Sequence, residues 1–177
     1  GIVIVKTDLF NDKIDGLSTI SEKGAHVIFL NARMPNDRQR FSLAHELGHM
    51  LMHFDLLEND IDVETEANRF ASELLLPEAE IRNELRFLTF PKLGELKRYW
   101  NVSIKSLLYR AHYLKVINQH QYRNLQINYS RKGFNQGEPI PLPEEKTYII
   151  NEIVRLHKDE LGYTEEELAR ILHLDKQ

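Results

Sequence analysis

Apolar positions in this chain recur first with the short spacing of strands and then with the longer spacing of helices. Ile2–Val5, Leu17–Ile20 and His26–Leu30 are brief β-type runs, and Glu22-Lys23-Gly24 between the last two suits a hairpin turn. From about residue 36 to 54 the period changes. Phe41, Ala44, Leu47, Gly48 and Leu51 fall at helical spacing in a stretch without proline, predicting a helix buried along one face. Gly48 weakens that helix by about 1 kcal/mol, a cost that close approach of another backbone would offset. A second helix is predicted over 63–76, with Val63, Ala67, Phe70, Ala71 and Leu74 as its apolar stripe and Pro77 as its stop, and a third over 78–88.

Pro91 marks a boundary. Beyond it, Leu93–Trp100, Asn101-Val102 and Ser103–Leu114 read as helix, tight turn and capped helix, a helix-turn-helix-like pattern, with a further helix over 118–128. Residues 133–143, GFNQGEPIPLP, have the composition of a linker. Residues 144–161 and 164–172 follow as two amphipathic helices joined at Gly162, the second opened by a Thr164–Glu167 capping box. The pattern predicts an α+β chain. A small, mostly antiparallel sheet packs on the 36–54 helix within residues 1–90, a helical region covers 91–132, a linker 133–143, and a helical segment 144–177.

Charge sharpens this division. Residues 1–90 carry a net −7, residues 91–137 a net +8 and residues 138–177 a net −5. The basic island could face nucleic acid or an acidic partner. The favoured reading is a solvated face that docks on its acidic neighbours. There is no cysteine, which excludes disulfides, thiolate metal sites and a cysteine nucleophile. No apolar stretch reaches the roughly 18 residues of a membrane span, and no signal peptide is visible. These properties suit a cytoplasmic protein.

The chemistry is concentrated in His45-Glu46-Leu47-Gly48-His49. On a helix, positions i and i+4 share a face, so both imidazoles can reach one ion, while Glu46 lies one step round, beside a water on that ion. Two histidines and a carboxylate on a buried helix need a compensating partner, because unpaired polar groups in a core are costly. A zinc ion supplies one, with His45 and His49 as ligands and Glu46 as general base.

A catalytic zinc takes three protein ligands. Residues 52 and 55 are Met and Asp, which disfavours the long motif with a third histidine. The favoured third ligand is Glu64 on the next helix, which shares a face with Ala67, Asn68 and Ala71. Glu66 points about 200° away and is expected in solvent; it, Asp60 and Asp62 are the alternatives. Asn68, one turn beyond Glu64, could hold a ligand histidine by its second ring nitrogen. His53, in the same helical row as His49, reads as structural or as support behind the ligands, since a fourth protein ligand would close the water position. Arg38 and Arg40 are expected to pair with Asp37, Asp62 or Glu73.

RQRFSLAHELGHMLMH followed by ETEANRFASELLLP resembles the ImmA/IrrE metallo-endopeptidases, with a wider similarity from about Gly1 to about Tyr122. The resemblance implies a zincin-like core over residues 1–90, one Zn²⁺ held by His45, His49 and Glu64, and Glu46 as base. It also implies a protein substrate, a helix-turn-helix repressor of the XRE type, in mobile-element or stress-response regulation. Many such proteins carry an XRE-type domain at their own N-terminus; this chain opens at Gly1 without an initiator methionine, which suits a fragment. In zincin architectures an edge strand beside the active helix pairs with extended substrate, and His26–Asn31 is the candidate.

The expected reaction is peptide hydrolysis by metal-activated water, with Glu46 moving the proton. A donor to the developing oxyanion is unassigned; Tyr109, His112, Tyr113 and His26 are candidates, each more readily explained by packing. Two other functions stay open: a latent protease or protein-interaction module, and a DNA-binding regulator with structural zinc that would use Lys97 or Lys105.

Overall fold

The computed structural model describes residues 1–171 apart from 12, 23, 54–61 and 146–147, with backbone alone for 148–151. Asp60, and the expected ends of helices at Phe54 and Leu172, lie outside the described residues. Two compact units divide the chain, residues 1–143 and 144–177.

The first unit opens with β1 (Ile2–Thr7), β2 (Gly16–Ile20) and β3 (His26–Asn31). The sheet order is β1-β3-β2. The hairpin forms as expected, with Gly24 at φ +80° and its N–H donated to the Ser21 carbonyl, and it pairs β2 antiparallel to β3. β1 pairs parallel to β3. This corrects the expected mostly antiparallel sheet: it is mixed, because the chain crosses over β3 between β1 and β2. It also corrects the choice of edge strand. β3 is central, with both sides paired, and its Ile28 and Leu30 are buried. The edge strand against the long helix is β2.

That helix, α1 (Asn36–Met52), packs on β2, β3 and α2 (Val63–Leu75). Ala44 and Gly48 are buried as the periodicity predicts; Met50, on another side of the helix, is buried against Ile28 and Leu30, and Leu51, although in the predicted stripe, is 65% exposed near the helix end. A β-carbon on Gly48 would sit 3.3 Å from the Ala67 Cα and 3.1 Å from the Phe70 ring, so the missing side chain is what lets α2 lie so close. Ala67 and Ala71 of α2, both fully buried, complete this small-residue contact. Asp62 caps α2: its carboxylate accepts the Thr65 hydroxyl and, at 3.1 Å, the Thr65 N–H, and these two bonds hold it below the usual range. That engagement explains why Asp62 is no ligand candidate.

A larger apolar cluster joins α3 (Glu78–Ile81), α4 (Phe90–Trp100), α5 (Ile104–Tyr113) and α6 (Gln119–Arg131), with Leu85, Leu93, Leu107 and Ala111 at its centre. α4 ends on a left-handed Asn101 (φ 53°), and Ser103 caps α5 by accepting the Ser106 N–H at 3.0 Å.

Residues 133–143 and the expected boundary at 90/91 both fall within the first unit, and the second unit begins at residue 144 as the expected C-terminal segment does. One buried ionic network ties residues 133–143 to the helices before them. Lys97 is 1% exposed and pairs with Asp37 of α1 and, at 2.9 Å, with Glu138. The Glu138 carboxylate also accepts the backbone N–H groups of Ile104 (2.7 Å) and Lys105 (3.0 Å) at the start of α5, where the helix dipole favours an anion. The Tyr129 hydroxyl donates to Glu138, and burial with that neighbouring carboxylate pushes its pKa far up. Leu142 accepts from the Asn36 side chain at 2.8 Å. Arg110 is likewise buried, paired with Glu73 and donating to the Leu76 carbonyl. Two of the island's cations therefore serve the core, and Lys97 offers no charge to a nucleic acid.

In the second unit, α7 (Tyr148–Asp159) and α8 (Glu165–Ile171) flank Gly162, which has φ +70°. The Thr164 capping box is present: Glu167 N–H donates to the Thr164 hydroxyl at 3.2 Å and Thr164 N–H to the Glu167 carboxylate at 2.9 Å. Among the described residues no helix is long and apolar enough to cross a membrane.

Candidate metal centre

Helix geometry brings the two α1 histidines together and the α1–α2 contact adds a carboxylate. His45 Nε2 and His49 Nε2 are 2.9 Å apart. Glu64, in the first turn of α2, places one oxygen 3.4 Å from His45 Nε2 and the other 3.3 Å from His49 Nε2. Donors about 2.0–2.2 Å from a tetrahedral zinc lie about 3.3–3.6 Å from one another. The two His–Glu64 distances, each to a different carboxylate oxygen, fall in that range, and the two ring nitrogens are closer together.

The ring tautomers agree with a cation at its centre. His45 Nδ1 lies 3.1 Å from the Asn68 side-chain oxygen, a bond in which the ring must donate. His49 Nδ1 lies 3.1 Å from His53 Nδ1, and His53 Nε2 lies 3.2 Å from Glu66. With Nδ1–H on both rings, the form a metal requires, each Nε2 turns a lone pair toward the cleft. Burial, and then the nearby His45, hold His49 below the usual imidazole range, which favours the neutral form a metal needs. Histidine, histidine and glutamate suit zinc.

Glu46 sits in the same cleft, of about 620 Å³, between α1, α2 and β2. The Ser18 hydroxyl donates to one of its oxygens at 2.6 Å. Gly16 leaves room for it: a β-carbon there would lie 3.1 Å from Glu46 Cγ and 3.3 Å from the Phe29 carbonyl. Neither Gly16 nor Ser18 stands out in the sequence reading. The only signal is two small residues at alternate positions of a strand, which places both on one face.

Other expected partnerships are rearranged. Glu66 is not simply solvated but bonds His53, whose side chain is 6% exposed. Arg38 pairs with Asp15 at 2.5 Å, because Asp37 is taken by Lys97 and Glu73 by Arg110. None of the four oxyanion candidates lines the cleft. His112 stacks on Tyr122, Tyr109 on Tyr113, and Tyr113 also faces Arg69 and Arg110; His26 begins the central strand.

Residues 1–112 match the family model of the IrrE N-terminal-like domain, Peptidase M78. Over 99 residues the chain is 39% identical to the radiation response metalloprotease IrrE of Deinococcus deserti, covering 48% of this chain and 35% of that protein. It is 37% identical over 98 residues to the protein of the same name from Deinococcus radiodurans, covering 48% of this chain and 30% of that one. The matched region spans about a third of the length of these curated relatives.

Proposed function

The chain belongs to the Peptidase M78 family, the IrrE N-terminal-like domain, and from that premise we propose that it is a zinc-dependent endopeptidase with a zincin-like core, cutting a helix-turn-helix repressor of the XRE type. One observation carries the reading: the donor atoms of His45, His49 and Glu64 converge, and Glu46 stands beside them in an open cleft. His45, His49 and Glu64 would hold the ion. Zinc, when bound, supplies Lewis acidity, lowering the pKa of water toward about 7 and polarising the scissile carbonyl.

The remaining steps belong to the protein. Glu46 accepts the proton of the attacking water and delivers it to the departing amine nitrogen. Ser18 occupies one Glu46 oxygen, leaving the other as the proton-transfer atom and holding it in place. Asn68 fixes the His45 ring through Nδ1. β2, as the edge strand bordering the cleft, receives an extended substrate segment through its outer backbone groups. The repressor substrate rests on the family resemblance, and a cytoplasmic setting and a stress-response role follow from that substrate.

Glu46→Gln tests the assignment. The variant should retain one zinc per chain and lose cleavage of an XRE-type repressor that the wild type cuts. Cleavage at the wild-type rate by zinc-loaded Glu46→Gln would remove the proposal.

A further inference from the structure

Behind the metal-facing triangle, His49, His53 and Glu66 form a hydrogen-bonded row whose protons can be counted. Glu66, as a carboxylate, only accepts, so His53 Nε2, 3.2 Å away, carries a hydrogen. A neutral His53 then has a bare Nδ1. That atom faces His49 Nδ1 at 3.1 Å, so His49 must donate through Nδ1 and keep its Nε2 lone pair for the cleft. With His53 neutral, each proton assignment forces the next.

We propose that His53 and Glu66 are positioning residues for the metal site, selecting the His49 tautomer and fixing its ring. The inference rests on the metal-site reading above and names residues outside the ligand triangle. The support for the two histidines is unequal. His45 is held by Asn68, whose amide offers an acceptor on one side and a donor on the other. His49 is held by a row that ends on a carboxylate, which has no donor to offer. Glu66 lies two residues beyond Glu64, so the first turn of α2 contributes one carboxylate to the front of the site and one to its back. His53 is well placed for this, because its side chain is almost wholly buried while Glu66 is half exposed.

The experiment compares wild type, Glu66→Gln, Glu66→Leu, His53→Leu and Glu64→Gln. Zinc affinity is measured by competition with a chromophoric chelator. The His49 tautomer is read from nitrogen-15 NMR of the metal-free proteins, and folding is checked by circular dichroism. Glu66→Leu and His53→Leu should stay folded and bind zinc about 10–100-fold more weakly, with His49 losing its pure Nδ1–H form. Glu66→Gln keeps an acceptor oxygen and should recover most of the affinity. Wild-type affinity and an unchanged His49 tautomer in both leucine variants would overturn the proposal and leave the metal site standing. Loss of zinc in Glu66→Gln as severe as in Glu64→Gln would overturn it too, since Glu66 would then be a ligand. A wild-type protein that takes up no stoichiometric zinc would instead sink the metal-site reading itself.

Discussion

Gly16 and Glu46, thirty residues apart in sequence, meet so closely that a β-carbon on the strand residue would stand 3.1 Å from Glu46 Cγ. The backbone carbonyl of Phe29, 3.3 Å away on the other side, blocks retreat of the new carbon into the sheet. A valine at position 16 therefore displaces Glu46. Gly16→Val should lower kcat by about tenfold to a hundredfold, as expected for a misplaced proton-transfer group. Zinc content measured by atomic emission should remain at the wild-type level, because the ligand triangle lies on α1 and α2.

Metal removal should be felt as a loss of stability. The donor atoms of His45, His49 and Glu64 are brought together only in the folded chain. A ligand that binds only the folded state at a hundred times its dissociation constant stabilises by about 2.7 kcal/mol. Chelation should lower Tm by several degrees in a thermal melt and zinc should restore it. In Glu64→Gln the zinc-induced rise should shrink sharply.

Lys97 ties residues 133–143 to α1 and α5. Lys97→Met would leave Asp37 and Glu138 buried without their cation, and breaking a buried pair from one side costs about 3–5 kcal/mol. The expected outcome is a large fall in the urea midpoint at neutral pH. The double variant Lys97→Met/Glu138→Gln should recover part of it by removing one of the stranded charges.

Glu73 gives the fold an acid-sensitive contact. The Glu78 backbone N–H, and then Arg110, hold its carboxyl below the usual value of 4.5. A depressed folded-state pKa means the unfolded chain binds the proton more readily. This stabilisation is therefore complete well above pH 4.5 and is lost as pH falls through the lower folded value. Glu73→Gln should be less stable than wild type at pH 7, and the difference should narrow in urea titrations as pH falls below the usual value of 4.5.

The legibility of the site follows the distance over which its parts act. The pairing of His45 with His49 is a consequence of helix repeat alone, so it can be read from five letters. Glu64 and Asn68 needed only the apolar phase of the following helix, and the structure places both beside the histidines. The hairpin, the Ser103 cap and the Thr164 capping box are equally local. Glu66 is exposed as its helix phase predicts, but its bond to His53 was not legible, because helix phase describes a helix surface and not the neighbour that reaches it.

What this chain determines by sequence alone is the placing of the candidate metal ligands on one face of α1, the bounds of most helices and the turn residues between them, because each depends on bonds within a few residues. Tertiary structure decides which strand lies at the edge, that Gly16 and Ser18 shape the seat of Glu46, and that Lys97 and Arg110 belong to the core and not to a basic surface. Those outcomes depend on which distant surfaces meet. Spacing along the chain records the direction of a side chain, and only packing supplies the partner that makes its position favourable.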